Sequence, residues 1–450
     1  MKTEKITVNE LFSGIGAQVS ALERLGIPCE IKHTSDIDHN AVLSYASIHC
    51  GLTEELINTY TEYPTREEMA RQLTEINLGY DFQKNKPYNW YRFVNSKSKE
   101  LEKYWLANKL SRNLGDISKL EHLDYADFWT YSFPCQSVSV SGKQEGIIKG
   151  KTRSGLLYEV QRLLEKANKM LALPKYLMLE NVKNLVGKKF KPQFDEWVAW
   201  LNELGYNTYW KVLNAKDYGV PQNRERVFAI SIRKDIDNGK FEFPQPFYNG
   251  VRLKDVLEDN VDEKYYLSED IQNRLILTDK TLTKNIIGTT KPEYRSIGQR
   301  DLVYSENSIM GTLVATDYKQ PKQILETNRC IQVGNLNYYN YDKMNRVYSK
   351  GGCSPALEIM QGGNRQPKIA EPIAAVIEPD VKSFRVRKLT PRECYRLMGF
   401  ADEQFDRSQA FSSDSQLYKQ AGNSIVVDVL YYIFGKLFEV DTETRKEIEC

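Results

Sequence analysis

Ile6-Thr7-Val8-Asn9-Glu10-Leu11-Phe12 reads as a short strand that runs straight into Ser13-Gly14-Ile15-Gly16-Ala17. An amphipathic helix follows, with Val19, Leu22 and Leu25 on its apolar face and Gly26 at its stop. Strand, glycine loop and helix in that order commit the start of the chain to an α/β arrangement, in which a backbone can approach a nucleotide-like ligand closely. A second strand around Cys29 leads to Asp36, twenty positions after Gly16, where an acidic side chain commonly accepts hydrogen bonds from ribose hydroxyls. Val19 stands where a dinucleotide fingerprint wants its third glycine, which disfavours a pyrophosphate-containing ligand.

The alternation continues. Phe128-Trp129-Thr130-Tyr131-Ser132 is an apolar strand, a helix runs from Leu156 to Leu171 with Val160, Leu163, Leu164 and Ala167 at helical spacing, and Tyr176-Leu177-Met178-Leu179 is a buried strand. Trp210–Leu213 and Val227–Ile232 add two more, so the first 240 or so residues predict a mostly parallel sheet. Two strands end in chemistry. Pro134 cannot donate to a ladder, so Phe133-Pro134-Cys135-Gln136 stops its strand and holds a thiol at the carboxyl end, where open α/β sheets bind ligands. On that tetrapeptide alone, a small buried hydrophobe is the ordinary reading of Cys135, and a nucleophile the sharper one. Glu180-Asn181-Val182 likewise delivers a carboxyl to the end of its strand.

Composition excludes little. A chain of 450 residues with 41% hydrophobic and 27% charged residues and a net charge of +2 suits a soluble protein of two domains. No apolar run approaches membrane-spanning length and Met1-Lys2-Thr3-Glu4-Lys5 lacks a signal core, so a cytoplasmic protein is expected, without a membrane partner. Seven scattered cysteines without a CxxC pair point to free thiols. His39, His49 and Cys50 fit no zinc spacing, and no metal site is expected.

Residues 51–113 read as an insertion into the catalytic domain. Thr65-Arg66-Glu67-Glu68 is a capping box for a helix carrying Met69, Leu73 and Ile76. Beyond it, basic residues from Lys84 to Lys103 interleave with Tyr88, Trp90, Tyr91, Phe93, Tyr104 and Trp105. Such interleaving can grip nucleic acid, but a solvated basic face over an aromatic cluster is the preferred reading. From Asn249 to Ser383 the α/β pattern gives way to polar sequence with short strands. Within it Val303-Tyr304-Ser305, Thr312-Leu313 and Gln320-Pro321-Lys322 are echoed by Val347-Tyr348-Ser349, Ala356-Leu357 and Gln366-Pro367-Lys368, as a repeat or by coincidence. Thr390-Pro391-Arg392-Glu393 predicts a capped helix, and Asn423-Ser424 is expected to cap a last one carrying Val426 to Leu437.

Seven blocks in one order resemble the cytosine-C5 DNA methyltransferase family of bacterial or phage type. They are Phe12-x-Gly14-x-Gly16, Gly115-Asp116-Ile117, Pro134-Cys135-Gln136, Glu180-Asn181-Val182, Gln222-x-Arg224-x-Arg226, Arg387 to Glu393, and Gly422-Asn423-Ser424. The resemblance spans nearly the whole chain and makes Cys135 a nucleophile. It implies a Rossmann-like S-adenosylmethionine-dependent catalytic domain over residues 1–248, a smaller irregular β-rich target-recognition domain over 249–383, and a return to the catalytic domain over 384–450. The activity it implies is methyl transfer to C5 of a flipped cytosine through a bond from Cys135 to C6. Glu180, with a raised pKa, would act at N3; Arg226 would act at O2 and Arg224 in positioning.

For S-adenosyl-L-methionine the resemblance implies Phe12, Gly14, Gly16, Asp36, Ile37, Asp116, Ile117, Pro134, Asn423 and Ser424. Glu10 and Ile37 depart from the family pattern, where aspartate and an aromatic are common. Double-stranded DNA is the implied partner, held by Ser141, Lys143 and Arg153 of a mobile loop and by Thr312, with a cognate restriction endonuclease or solitary action both open and a monomer expected. A tRNA cytosine methyltransferase shares these blocks but not the long variable segment before Arg387. A nicotinamide oxidoreductase would leave Cys135 and Glu180 unexplained, and a non-catalytic paralogue would be expected to have lost Cys135, Glu180 or Arg226.

Overall fold

The computed structural model describes residues 5–81, 85–139, 144–247, 253–265, 276–277, 286–289, 302–305, 323–325, 332–340, 342–350, 354–355, 366–372 and 384–442, with positions 249, 251 and 357. Two compact units divide the chain. The first comprises residues 1–214, 225–247 and 398–450, and the second 215–224 and 248–397.

The first unit is built on six strands: β1 (Ile6–Leu11), β2 (Cys29–Ser35), β3 (Phe128–Tyr131), β4 (Tyr176–Val182), β5 (Tyr206–Asn214) and β6 (Glu225–Arg233). Their spatial order is β2-β1-β3-β4-β6-β5. β1 to β4 are mutually parallel and β6 runs antiparallel between β4 and β5. The four parallel strands therefore end at one edge, and the order reverses between β1 and β3, which is where such sheets open a ligand crevice. Both faces are covered, so β3 is buried at every position, Thr130 included. Phe128 meets Phe434 edge-on at 5.4 Å, while its neighbour Trp129 belongs to the opposite core.

That opposite core is supplied by α6 (Leu157–Lys169) and α7 (Lys191–Leu204), whose Val160, Leu163, Leu164, Phe194, Trp197 and Leu201 are all buried. On the Phe128 face lie α1 (Ala17–Arg24) and α10 (Val427–Leu437), the last helix among the described residues, joined by Arg24 to Asp428 at 2.8 Å. Between them in sequence come α8 (Asp402–Gln409) and α9 (Asp414–Asn423). None of the helices among the described residues is long and apolar enough to cross a membrane.

One expected cap is corrected here. Asn423 is the last residue of α9 and Ser424 its C-cap, and α10 starts from Val426 without a side-chain cap bond. Leu417, Tyr418 and Ala421 form a buried stripe that extends α9 up to Asn423, and this tertiary burial sets the helix end. The Thr390 capping box does form, with both reciprocal bonds and Pro391 in the first turn.

The insertion makes a helical annex of α3 (Glu54–Thr59), α4 (Arg66–Glu75) and α5 (Glu100–Leu110), packed on α2 (His39–His49). Its aromatic residues are largely interior. Trp90 is wholly buried, Tyr88, Trp90 and Tyr104 surround His39, and Arg92 lies over the Tyr88 and Phe93 rings at 4.8 and 4.5 Å.

In the second unit the sequence echo falls on two three-strand arrangements of the same sense. Leu302–Ser305 pairs antiparallel with Ile286–Thr289 and parallel with Gln323–Leu325. Arg346–Ser349 pairs antiparallel with Gln332–Asn335 and parallel with Lys368–Pro372. Val303 to Ser305 face Gln323 to Leu325, as Val347 to Ser349 face Lys368 to Ala370, so the repeat is one of topology.

Candidate active site

β3 ends at Tyr131, three residues before the Pro134 expected to stop it, and the segment from Phe133 onward is clamped from two elements. Asn181, at the end of β4, donates its amide Nδ2 to the Phe133 carbonyl at 3.0 Å. Ser154, wholly buried just before α6, donates its hydroxyl to the Pro134 carbonyl at 2.7 Å. The Cys135 carbonyl then accepts from the amides of Val138 and Ser139, closing a turn around the thiol-bearing residue. Cys135 itself is half-buried. Burial pushes the thiols of Cys29 and Cys50 up to about 11 and about 12 and that of Cys394 far up, so these three are held protonated and are poor nucleophiles.

Glu180 leaves the same edge of the sheet from β4, 8% exposed. Arg226, on the neighbouring antiparallel strand, is opposite Val182, two positions beyond Glu180 and hence on the same face. Its Nε lies 3.3 Å from Glu180 Oε1, and its Nη1 donates to the Glu225 carbonyl at 2.8 Å. The sheet thus brings a thiol-bearing turn, a carboxyl and a guanidinium to the ends of adjacent strands β3, β4 and β6. Arg224 belongs to the second unit, where it is buried and donates Nη1 to the Leu357 carbonyl at 2.9 Å. Gln222 braces the same place, accepting from the Leu357 amide and donating to the Leu397 carbonyl.

At the ends of β1 and β2 the glycine loop takes its expected form. Phe12 has a φ of 59°, an uncommon conformation for a bulky side chain and one found at ligand clamps. Gly16 caps α1 at φ 80°, and a Cβ there would lie 2.5 Å from His49 and 2.8 Å from Tyr45. Gly14, at φ 55°, differs: a Cβ on it would meet nothing within 4 Å, so its outer face opens on free space. Asp36 accepts from the Gly14 amide at 2.9 Å and from the Asp38 amide at 2.8 Å. Burial, with Asp38 beside it, pushes its carboxyl up to about 6, which leaves it mainly ionised at neutral pH. Asp116 caps a turn over Ile117–Lys119, taking the Ser118 amide and hydroxyl on one oxygen and Asn77 on the other. Asn423 is exposed and Ser424 nearly buried at the end of α9.

A model of the C-5 cytosine-specific DNA methylases matches residues 77–439. The chain belongs to that family. It is 35% identical over 441 residues to the type II methyltransferase M2.ScrFI of Lactococcus lactis subsp. cremoris, a match covering 96% of this chain and 99% of that protein. It is 31% identical over 447 residues to the orphan methyltransferase M.SssI of Spiroplasma monobiae, covering 97% and 98%. In fold it resembles the crystal structure of S. pombe Dnmt2 methyltransferase, at a TM-score of 0.51 and 16% identity over 96% of this chain and 98% of that one. The chain is therefore a C5 cytosine DNA methyltransferase with the fold of S-adenosylmethionine-dependent enzymes.

Of the DNA-contact residues expected for this methylase, Ser141, Lys143 and Thr312 lie outside the described residues. Arg153 donates to the Gln136 side chain at 2.9 Å, beside the thiol turn. Sequence reasoning missed Ser154, Asn113 and Asn77 and gave no role to Asn181. Their bonds run to Pro134, Asp36, Asp116 and Phe133, across 20 to 77 positions. The signal available was a small polar residue at each element end, a common sight with many explanations.

Proposed function

We propose that this methylase transfers a methyl group from S-adenosylmethionine to C5 of a cytosine flipped out of a specific double-stranded DNA site, through a covalent bond from Cys135 to C6. The observation that carries the reading is the convergence at one sheet edge: Glu180 and Arg226 paired at 3.3 Å, and Asn181 binding β4 to the residue before Pro134-Cys135. Cytosine C5 is too electron-poor to attack an electrophilic methyl group, and a thiolate adding at C6 makes it an enamine-like carbon. The added electron pair moves toward N3. Glu180 hydrogen-bonds or protonates N3 and receives the exocyclic amine, while Arg226 donates to O2, where negative charge develops. Loss of the C5 proton then lets the Cys135 thiolate leave by β-elimination, so the thiol is regenerated.

The residues around the glycine loop fit the donor. Free space beyond Gly14 admits a ligand against bare backbone, and Asp36 offers a buried acceptor for ribose hydroxyls. Phe12, Gly14, Gly16, Pro134, Asn423 and Ser424 would flank its methionine and sugar, with Ile37, Asp116 and Ile117 toward the adenine. When bound, its sulfonium supplies the electrophilic methyl carbon. C6 is hidden within stacked duplex DNA, so the base must leave the helix to reach Cys135. The loop after Cys135, carrying Ser141, Lys143 and Arg153, is assigned to closing behind it, and Thr312 to the flipped nucleotide. The enzyme is taken to act as a cytoplasmic monomer, with or without a restriction endonuclease sharing its site.

Bisulfite sequencing of DNA from cells expressing the chain tests the activity, and Cys135→Ala tests the nucleophile. New 5-methylcytosine at one sequence, absent with the variant, is expected. Unaltered DNA with the intact chain would overturn the activity. A covalent complex with DNA containing 5-fluorocytosine, which cannot lose fluorine as it loses a proton, tests the Cys135–C6 bond.

A further inference from the structure

The insertion grips both loops assigned to the adenosine end of the donor. After α4 the chain turns through Ile76 to Gly79, with Asn77 in the left-handed region at φ 55°. From this single turn Asn77 Nδ2 donates to Asp116 Oδ2 at 2.8 Å, the Ile76 carbonyl accepts from the Asp116 amide at 2.9 Å, and the Gly79 amide donates to the Ile37 carbonyl at 2.6 Å. Trp90, wholly buried in the annex, holds the turn by donating to the Leu78 carbonyl at 2.9 Å. The contact is close. A Cβ on Gly115 would lie 2.2 Å from the Ile76 carbonyl oxygen, so this glycine is needed for the two segments to meet. Where the insertion ends, Asn113 takes both backbone groups of Asp36, accepting from its amide at 2.8 Å and donating to its carbonyl at 3.0 Å.

These bonds leave Asp116 with a defined direction. One carboxylate oxygen is filled by the Ser118 amide and hydroxyl, and the other carries the Asn77 donor, which leaves it one further acceptor site. A fixed carboxylate with one site open favours a ligand that presents an N–H and repels one that presents a carbonyl. We propose that the inserted annex is the wall that makes the donor site selective for a 6-aminopurine, with Asn77 the positioning residue that aims Asp116 at the exocyclic amino group. This inference rests on the reading that Asp116 faces the adenine edge.

Calorimetric titration of the full chain with S-adenosylhomocysteine and with S-inosylhomocysteine, which carries a carbonyl in place of the amino group, tests it. The intact protein prefers the adenosyl ligand. Asn77→Gly keeps the left-handed backbone and removes the donor. It is expected to weaken adenosyl binding about tenfold with little effect on the inosyl ligand, in line with losing a hydrogen bond to a charged group. Asn77→Asp, which sets a second carboxylate against Asp116, is expected to lose still more of the preference and serves if the glycine variant does not fold. A preference equal to that of the intact chain in a folded variant overturns the role of Asn77, as does equal weakening of both ligands. Failure of the intact chain to bind either ligand would instead overturn the donor-site reading beneath it.

Discussion

Asn181 and Phe133 are joined by a 3.0 Å hydrogen bond that ties the strand carrying Glu180 to the turn carrying Cys135. Asn181 also accepts from the Val182 amide, so its side chain has one orientation and its donor points at one carbonyl. The thiol and the carboxyl are thereby set by a common brace. Removing it in Asn181→Ala frees the turn, and a misplacement of about 1 Å in a reacting group costs roughly 100-fold in rate. The expected outcome is a single-turnover methylation rate lowered by about that factor, with S-adenosylhomocysteine affinity unchanged. Adduct formation with 5-fluorocytosine DNA at the rate of the intact enzyme would show that the brace is dispensable.

Gly14 and Gly16 separate the demands of ligand and fold, although both are left-handed. In Gly16→Ala the new methyl meets His49 and Tyr45 at under 3 Å, both packed on the core side, so thermal stability falls sharply. Gly14→Ala meets nothing within 4 Å and bears chiefly the backbone cost of about 1–2 kcal/mol. Its methyl enters the free space assigned to the donor. The pair should therefore split, Gly16→Ala mainly in melting temperature and Gly14→Ala mainly in S-adenosylhomocysteine affinity. Melting curves and ligand titrations on both variants check this, and equal melting losses would refute it.

Arg224 is expected to matter to the second unit and not to donor binding. Its guanidinium satisfies the buried Leu357 carbonyl, and Arg224→Ala leaves that carbonyl without this donor, at a cost of about 1–3 kcal/mol. S-adenosylhomocysteine should bind the variant as it binds the intact chain. Affinity for specific duplex DNA should drop, by roughly tenfold for each 1.4 kcal/mol transmitted. Fluorescence anisotropy with labelled DNA beside calorimetry with the ligand measures the two separately.

The central strands β3, β4 and β6 were legible because each is buried along most of its length and so reads as a mainly apolar run beside a loop residue of distinctive type. Pro134 and Gly16 are of that kind, since backbone geometry alone restricts what can stand there. Asn423-Ser424 misled for a physical reason. A small polar pair before Ile425-Val426-Val427 looks like an N-cap, yet what sets the boundary is the buried stripe of α9, whose partners are distant in sequence. The braces Asn181, Ser154, Asn77 and Asn113 were illegible because a side-chain amide or hydroxyl carries no signal of its distant acceptor. Glu180 and Arg226 could be named from their blocks, but their 3.3 Å pairing depends on β6 running antiparallel to β4, which periodicity does not reveal.

Glu10 makes a prediction about pH. It is wholly buried in β1, accepts the Tyr45 hydroxyl at 2.5 Å, and burial pushes its carboxyl up to about 8 from an ordinary 4.5. A carboxyl whose pKa is higher folded than unfolded binds its proton more tightly in the native state, so the stability it contributes is complete below pH 4.5 and is lost as pH rises through about 8. Within that window the loss approaches about 1.4 kcal/mol per pH unit, summing to the order of a few kcal/mol. Glu10→Gln keeps a carbonyl oxygen for the Tyr45 hydroxyl and cannot ionise. Urea unfolding between pH 5.5 and 8.5 should therefore show a steeper fall in stability for the intact chain than for the variant, with the variant the more stable at the alkaline end. Parallel curves for the two proteins would mean that Glu10 is ionised in the fold throughout, and that Tyr45 donates to a carboxylate.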